Sequence, residues 1–350
     1  MYTPLDFIET LPETSTRKTY LTALTRYLEI LKDKKIPKCK LNQTWAAYMA
    51  RHLNPDEDLM QFAHLAETSF HLAPKTIRLY EQIAVLYMRE AGVAISEKTI
   101  RIFRTKTAKN KPITRDAELD RVLLQQIIRD AELRLRTEIL LAVSSGMRIG
   151  EILSIREKDV NLAASPAVIY LRPEYTKNRT ARVVFISKEA AVCLNEWLAF
   201  LNAHKLAGKI RKNDTRIFPY SLSNEIASLR RHLRVCGFLE EDERTGRATI
   251  HFHLFRKYFL TEFKLAASAE VAEELAGHNG YLSDSYRRLS LGKMRDEYKK
   301  AEENLTVYKS DDDKQTQLSD MISMMQKQIN ELSEEINRLN KYMITESAIE

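Results

Sequence analysis

The sequence predicts a mainly α chain of two domains, with one small β-hairpin or sheet and a C-terminal coiled coil. Three observations lead there. Glycine is scarce, 9 of 350 residues, so tight turns are few and a sandwich or barrel of short strands is disfavoured. Apolar residues recur at helical spacing along most of the chain, and only two short runs read as strands. The length suits two domains of roughly 100–200 residues plus an appendage.

Helices open the chain. Between Thr14 and Lys32, residues Tyr20, Leu21, Leu24, Tyr27, Leu28 and Leu31 share a helical face. Ile77, Tyr80, Ile83, Ala84, Tyr87 and Met88 repeat the pattern between Pro74 and Ala91, and Gly92 suits the end of that helix. From Lys98 to Arg115 the chain holds seven basic residues and no acid, and Pro112 disfavours helix before it. We therefore expect a helical domain over 1–105 and a basic linker over 106–115. Arg101, Arg104, Lys106, Lys109 and Lys111 are the expected contacts to phosphates.

The second domain is expected over 116–309. Residues 116–155 read as helix broken at Ser144-Ser145-Gly146. Ala167–Leu171 and Arg182–Ile186 are β-rich runs with a polar turn between them. Helices are expected again at Ala190–Lys205, Leu222–Cys236, Phe252–Ala267 and Ala269–Ala276. In the tail, 314–350, the residues Leu318, Ile322, Met325, Ile329, Leu332, Ile336, Leu339 and Met343 alternate steps of four and three. That is the seam of a coiled coil, and Ile and Leu along it favour a parallel pair. The other reading is a single helix packed on its own domain, whose apolar stripe is normally wider.

Charge narrows the partner. The chain carries +7, and residues 310–350 hold 4 basic and 9 acidic residues, so the first 309 carry +12. A basic body with an acidic tail points to a polyanion, with nucleic acid first in line. Cys39, Cys193 and Cys236 are far apart, which forms neither a disulfide framework nor a zinc pattern and suggests a reducing compartment. No apolar run approaches a membrane-spanning length. The opening MYTPLDFIET lacks the features of a signal peptide. A cytoplasmic, DNA-associated protein is expected, in the host cytoplasm if viral.

Five short segments carry candidate chemistry. In Ser144-Ser145-Gly146-Met147-Arg148-Ile149-Gly150-Glu151, a helix stops at a turn and Arg148 sits where the next begins, beside free N–H groups that suit an oxyanion. Lys177 lies near the tip of the hairpin. His253 and Arg256 share a helix face, so both can address one anion, while His251 is expected to point away. Gly277 closes a helix just before His278. Tyr286 stands in the first turn of a helix begun by Ser283-Asp284-Ser285. Taken singly, each has an ordinary structural explanation: a turn, a solvated lysine, a surface pair, a cap, a core tyrosine.

Taken in order, the five resemble the tyrosine recombinase (phage integrase) family. Its boxes are Arg in G-x-R-x-x-E, Lys on a β-hairpin, His-x-x-Arg, Gly-His and a nucleophilic Tyr. The resemblance covers about residues 116–300, and the helical 1–105 looks like the family's core-binding domain. Ser285-Tyr286-Arg287-Arg288-Leu289, with Tyr298 to Leu305 after it, is similar to archaeal or archaeal-virus members. There are departures: Leu-Ala-Gly-His replaces Leu-Gly-His, and His278 and Tyr286 are eight residues apart, closer than is common. Tyr281 is the alternative nucleophile.

The resemblance implies a two-domain clamp on double-stranded DNA, with four protomers on two duplexes; the coiled coil, which is not part of the general family pattern, is expected to join protomers in pairs. It implies catalysis by Arg148, Lys177, His253, Arg256, His278 and Tyr286, with Glu151 orienting the cationic groups and with no cofactor or metal. Integration and excision of a mobile element is the expected role. The alternatives are an Xer-type dimer-resolving recombinase, a type IB topoisomerase-like relaxing enzyme, and a DNA-binding regulator on an inactive fold.

Overall fold

The protein is described from a computed structural model. The described residues are 2–12, 14–51, 54–106, 115–206, 214–243, 245–277 and 289–308. The chain divides into two units between Arg115 and Asp116.

The first unit is all helical: α1 (Pro4–Glu9), α2 (Thr14–Lys32), α3 (Leu41–Met49), α4 (Pro55–Thr68), α5 (Pro74–Glu90) and α6 (Glu97–Lys106). Proline at the first helical position starts α1, α4 and α5, where its missing N–H costs nothing. Gly92 follows α5 with φ +85°, as a helix end requires. Aromatic side chains fill the interior. The Trp45 ring stacks on Tyr27 at 5.6 Å and meets Tyr87 edge-on at 4.9 Å. Its Nε1 donates to the Leu24 carbonyl at 3.2 Å, so the buried indole is satisfied. Lys98, Arg101, Arg104 and Lys106 stand on α6, so the basic run begins as helix. Ser96 starts it by accepting from the Thr99 N–H at 3.1 Å. Lys109 and Lys111 lie outside the described residues.

The second unit orders α7 (Arg121–Arg129), α8 (Leu133–Ser145), α9 (Ile149–Ile152), β1 (Val160–Asn161), β2 (Ala167–Leu171), β3 (Arg182–Ile186), α10 (Lys188–Leu206), α11 (Leu222–Val235), α12 (Phe252–Ala266), α13 (Ala269–Ala276) and α14 (Leu291–Leu305). The arrangement is mainly helical with one small sheet. Every residue of α8 from Thr137 to Ser145 is buried, so it is the central helix, flanked by α10 and α12. Residues 116–120 and 130–132 are not helical, contrary to a continuous helix up to Ser144. Asp120 starts α7 by accepting from the Leu123 N–H at 2.7 Å.

The sheet has three antiparallel strands in the order β1-β2-β3. The hairpin strands fall where the β-rich runs are, with Ile169 opposite Val184 and Leu171 opposite Arg182. The third strand, β1, was not expected; two residues are too few to show alternation. The coiled-coil expectation over 314–350 lies outside the described residues. Among the described residues, no helix is long and apolar enough to cross a membrane.

One buried acid in the first unit has a thermodynamic consequence. Glu81 on α5 is 3% exposed, one of its carboxyl oxygens has no partner, and burial pushes its pKa up to about 8 against a smaller opposing effect from Arg78. An unfolded glutamate titrates near ~4.3. Between these values the folded form holds the extra proton, so stability is full below the lower value and falls as pH rises through about 8. Glu81→Gln should flatten that fall and raise the unfolding temperature at pH above 8 more than at pH 5. Trp45 fluorescence in a Trp197→Phe background reads the melt, and an unchanged pH slope would mean that Glu81 ionises freely in the fold.

Candidate active site

Two helix ends meet where Arg148 and Arg256 stand. Helix α8 stops because Gly146 adopts the left-handed conformation, φ +67°. A side chain there is excluded twice over, since an added Cβ would lie 2.4 Å from the Phe259 ring of α12. The close approach brings the Gly146 carbonyl to Arg256 on α12, whose Nη1 donates to it at 2.6 Å. Arg256 is 1% exposed, and among the described residues its buried Nε and Nη2 have no hydrogen-bond partner. Burial, helped by the neighbouring Arg148, pushes its pKa down to about 10. The group is still charged at neutral pH. An anion offering two oxygens is the partner that a planar guanidinium with two open N–H groups fits best.

Arg148 precedes α9 and is half-buried. Its backbone N–H donates to Glu151 Oε2 at 2.8 Å, and its Nη1 donates to Oε1 at 3.1 Å. Burial alone would raise the Glu151 carboxyl. Hydrogen bonds and charge from Arg182, then from Arg148, hold it below its usual value instead. Glu151 is therefore held as a carboxylate between two arginines.

His253 lies in the first turn of α12. Burial first, then the charges of Lys257, Arg256, His251 and Arg148, hold its pKa below the ordinary 6.5. A neutral imidazole among cations can accept a proton at neutral pH. His251 does not point away as expected. It precedes the helix in extended conformation (φ −154°), so the helical period does not govern it, and its ring lies 6.3 Å from that of His253. Asp116 gathers this edge: His251 Nε2 lies 3.2 Å from its Oδ1, and Lys257 is ion-paired to it.

Lys177 is exposed on the β2–β3 turn. Thr176 braces that turn, donating from Oγ1 to the Thr180 carbonyl and accepting from the Thr180 N–H, both at 3.0 Å. Below it, Asp159 accepts from Arg172 Nε at 2.7 Å and from the Tyr175 hydroxyl at 2.9 Å. Among the described residues, hydrogen bonds do not join Lys177 to Arg148, Glu151 or Arg256. His278, Tyr281 and Tyr286 lie outside the described residues. The elements on either side are anchored. Gly277 closes α13 with φ +68°, and on α14 the buried Tyr298 donates to the Ser144 carbonyl at 2.8 Å. Among the described residues no group of three or more His, Cys, Asp or Glu is placed to hold a metal ion.

Sequence reasoning missed Arg182, which donates to both oxygens of Glu151 at 3.0 and 2.6 Å. It reads as the polar first residue of a strand. The ion pair it makes spans 31 positions and leaves no local pattern.

Residues 113–283 match the sequence model of the phage integrase family. The match includes Arg148, Lys177, His253, Arg256 and His278, and ends three residues before Tyr286. No curated protein sequence matches the chain at a significant level. Among solved structures, XerH site-specific recombinase bound to difH substrate in a pre-cleavage complex is 18% identical with a TM-score of 0.50, covering 81% of this chain and 77% of its own. A lambda integrase dimer bound to a COC′ core site is 16% identical, also at 0.50, covering 77% of this chain and 78% of its own. At these identities the likeness is one of fold.

The depressed histidine can be read directly. The His253 ring should titrate by NMR with a midpoint below 6.5. Lys257→Met removes a repelling charge and frees Asp116, and both effects favour imidazolium, so the midpoint should rise. A midpoint unmoved by that change would mean that Lys257 has no part in depressing it.

Proposed function

We propose, on the premise that this chain belongs through its residues 113–283 to the phage integrase family of tyrosine recombinases, that it cleaves and rejoins duplex DNA at specific sites through a 3′-phosphotyrosyl intermediate. The observation that carries the reading is Arg256: a buried, charged guanidinium with two open N–H groups, beside a second arginine held by a carboxylate. Such an arrangement suits a phosphodiester whose non-bridging oxygens gain charge during displacement.

In this reading Arg148 and Arg256 hold the non-bridging oxygens and His278 adds a donor. The Tyr286 oxygen attacks phosphorus and loses its proton to His253, while the bond to the 5′ oxygen breaks and Lys177 protonates the leaving group. Glu151 orients Arg148. Rejoining reverses the roles, and the tyrosyl ester conserves the bond, so no external energy source is needed. The helical first unit and the basic run from Arg101 to Lys111 would lie along the DNA backbone. The solved relatives are described with DNA, XerH on its difH substrate and lambda integrase as a dimer on a core site. We extend the reading to integration and excision of a mobile element. Strand exchange between two labelled duplexes separates recombination from simple relaxation, since a relaxing enzyme rejoins only the original ends.

The cleavage test uses nicked, labelled duplexes tiled across the DNA that flanks the gene. Wild type should form a covalent adduct on a denaturing gel, and Tyr286→Phe should bind but form none. Arg148→Ala and Arg256→Ala should each slow adduct formation by at least about 10²–10³-fold with little loss of affinity. An adduct that survives in Tyr286→Phe and is lost in Tyr281→Phe would reassign the nucleophile. A parallel fall of binding and cleavage would reduce the arginines to ordinary phosphate contacts.

The tail enters as self-association. A coiled coil over 314–350 would raise the effective concentration of a second protomer. Deleting 314–350 should leave cleavage of a single site intact and lower recombination, most of all at low protein concentration. Sedimentation of the isolated tail peptide reads pairing directly. A monomeric peptide together with full recombination by the truncated chain would leave the heptad pattern as an internal packing stripe.

A further inference from the structure

Arg182 has no part in the reaction just proposed, yet its bonds run to two parts of that site. It opens β3, opposite Leu171, with its side chain 9% exposed. Two of its nitrogens donate to Glu151, Nη1 to Oε1 at 3.0 Å and Nη2 to Oε2 at 2.6 Å. The third, Nε, donates to the Leu275 carbonyl at 2.9 Å. That carbonyl is among the last four of α13, which have no partner within their own helix. The same carboxylate that receives Arg182 receives Arg148. Gly277 passes so near that an added Cβ would lie 2.9 Å from the Arg182 guanidinium carbon.

We propose that Arg182 is a positioning residue, which locks Arg148, through Glu151, and the C-terminal end of α13 at a fixed spacing around the phosphate. This rests on the reaction proposed above. The geometry requires arginine. Only a planar fork reaches a carboxylate with two nitrogens while a third turns to a carbonyl; lysine, a single point charge, can satisfy one side. Fixing both sides matters because misplacing a reacting group by about 1 Å can cost about 10²-fold in rate. The rival role is to hold the hairpin that carries Lys177. That hairpin already has its own braces, the β2–β3 ladder, the Thr176–Thr180 bonds and the Asp159 cluster.

The test uses full-length protein and the nicked duplex that traps the adduct. Arg182→Ala and Arg182→Lys should slow adduct formation at saturating DNA by about 10²-fold, with DNA affinity unchanged. The lysine variant keeps the charge, and its melting curve reports whether the fold is intact. Combining Arg182→Lys with Glu151→Gln should be no slower than the slower single variant, because both act through one contact. A duplex whose bridging 5′ oxygen is replaced by sulfur has a leaving group that needs no acid. It should rescue Lys177→Ala and leave the Arg182 variants slow. Full rate in a folded Arg182→Lys, additive losses in the double variant, or rescue of the Arg182 variants by sulfur would each overturn the inference. No adduct from wild type would defeat the reaction itself, whereas a wild-type adduct with an unimpaired Arg182→Lys would defeat only the role given to Arg182.

Discussion

The burial of Arg256 governs what surrounds it. It stands on α12, and its side chain is closed from solvent. A guanidinium in such a place must keep hydrogen bonds, because each buried polar group left unmet costs about 1–3 kcal/mol. The Gly146 carbonyl meets one N–H. It is free to do so only because α8 ends there in a left-handed residue, and the backbone comes that close only because residue 146 has no side chain against Phe259. One glycine thus fixes the end of the central helix, the approach of α12 and the direction of the buried cation.

Around that point the cations are held from behind. Glu151 takes Arg148 and Arg182, and Asp116 takes Lys257 and His251. Each carboxylate fixes where two groups point. Arg256 is the exception: among the described residues its hydrogen bond goes to the neutral Gly146 carbonyl. The result is a concentration of positive potential in a partly desolvated place, which strengthens its pull on an anion and keeps His253 unprotonated.

Much of the second unit could be read from local pattern. Two β-rich runs marked β2 and β3 at their observed bounds, and Gly277 marked the end of α13. The chain order of short boxes pointed to Arg148, Glu151, His253 and Arg256, because each box carries its own turn or helix start. What was not legible depends on distance along the chain. Arg182 meets Glu151 across 31 positions and Leu275 across 93. Asp116 meets Lys257 across 141. His251 was misread because a helical wheel was applied to a residue outside the helix. Helices α1, α3, α4 and α14 were not singled out either; α1 and α3 are too short to carry a clear period.

The Tyr298 bond to Ser144 ties the last described helix to the catalytic side of the unit. Its ring is wholly buried between Phe185 and Phe263, and its hydroxyl is spent on the end of α8. A chain that lost α14 would be left with an aromatic-lined hole and a bare carbonyl beside Gly146. The turn that holds Arg256 would lose that support with it.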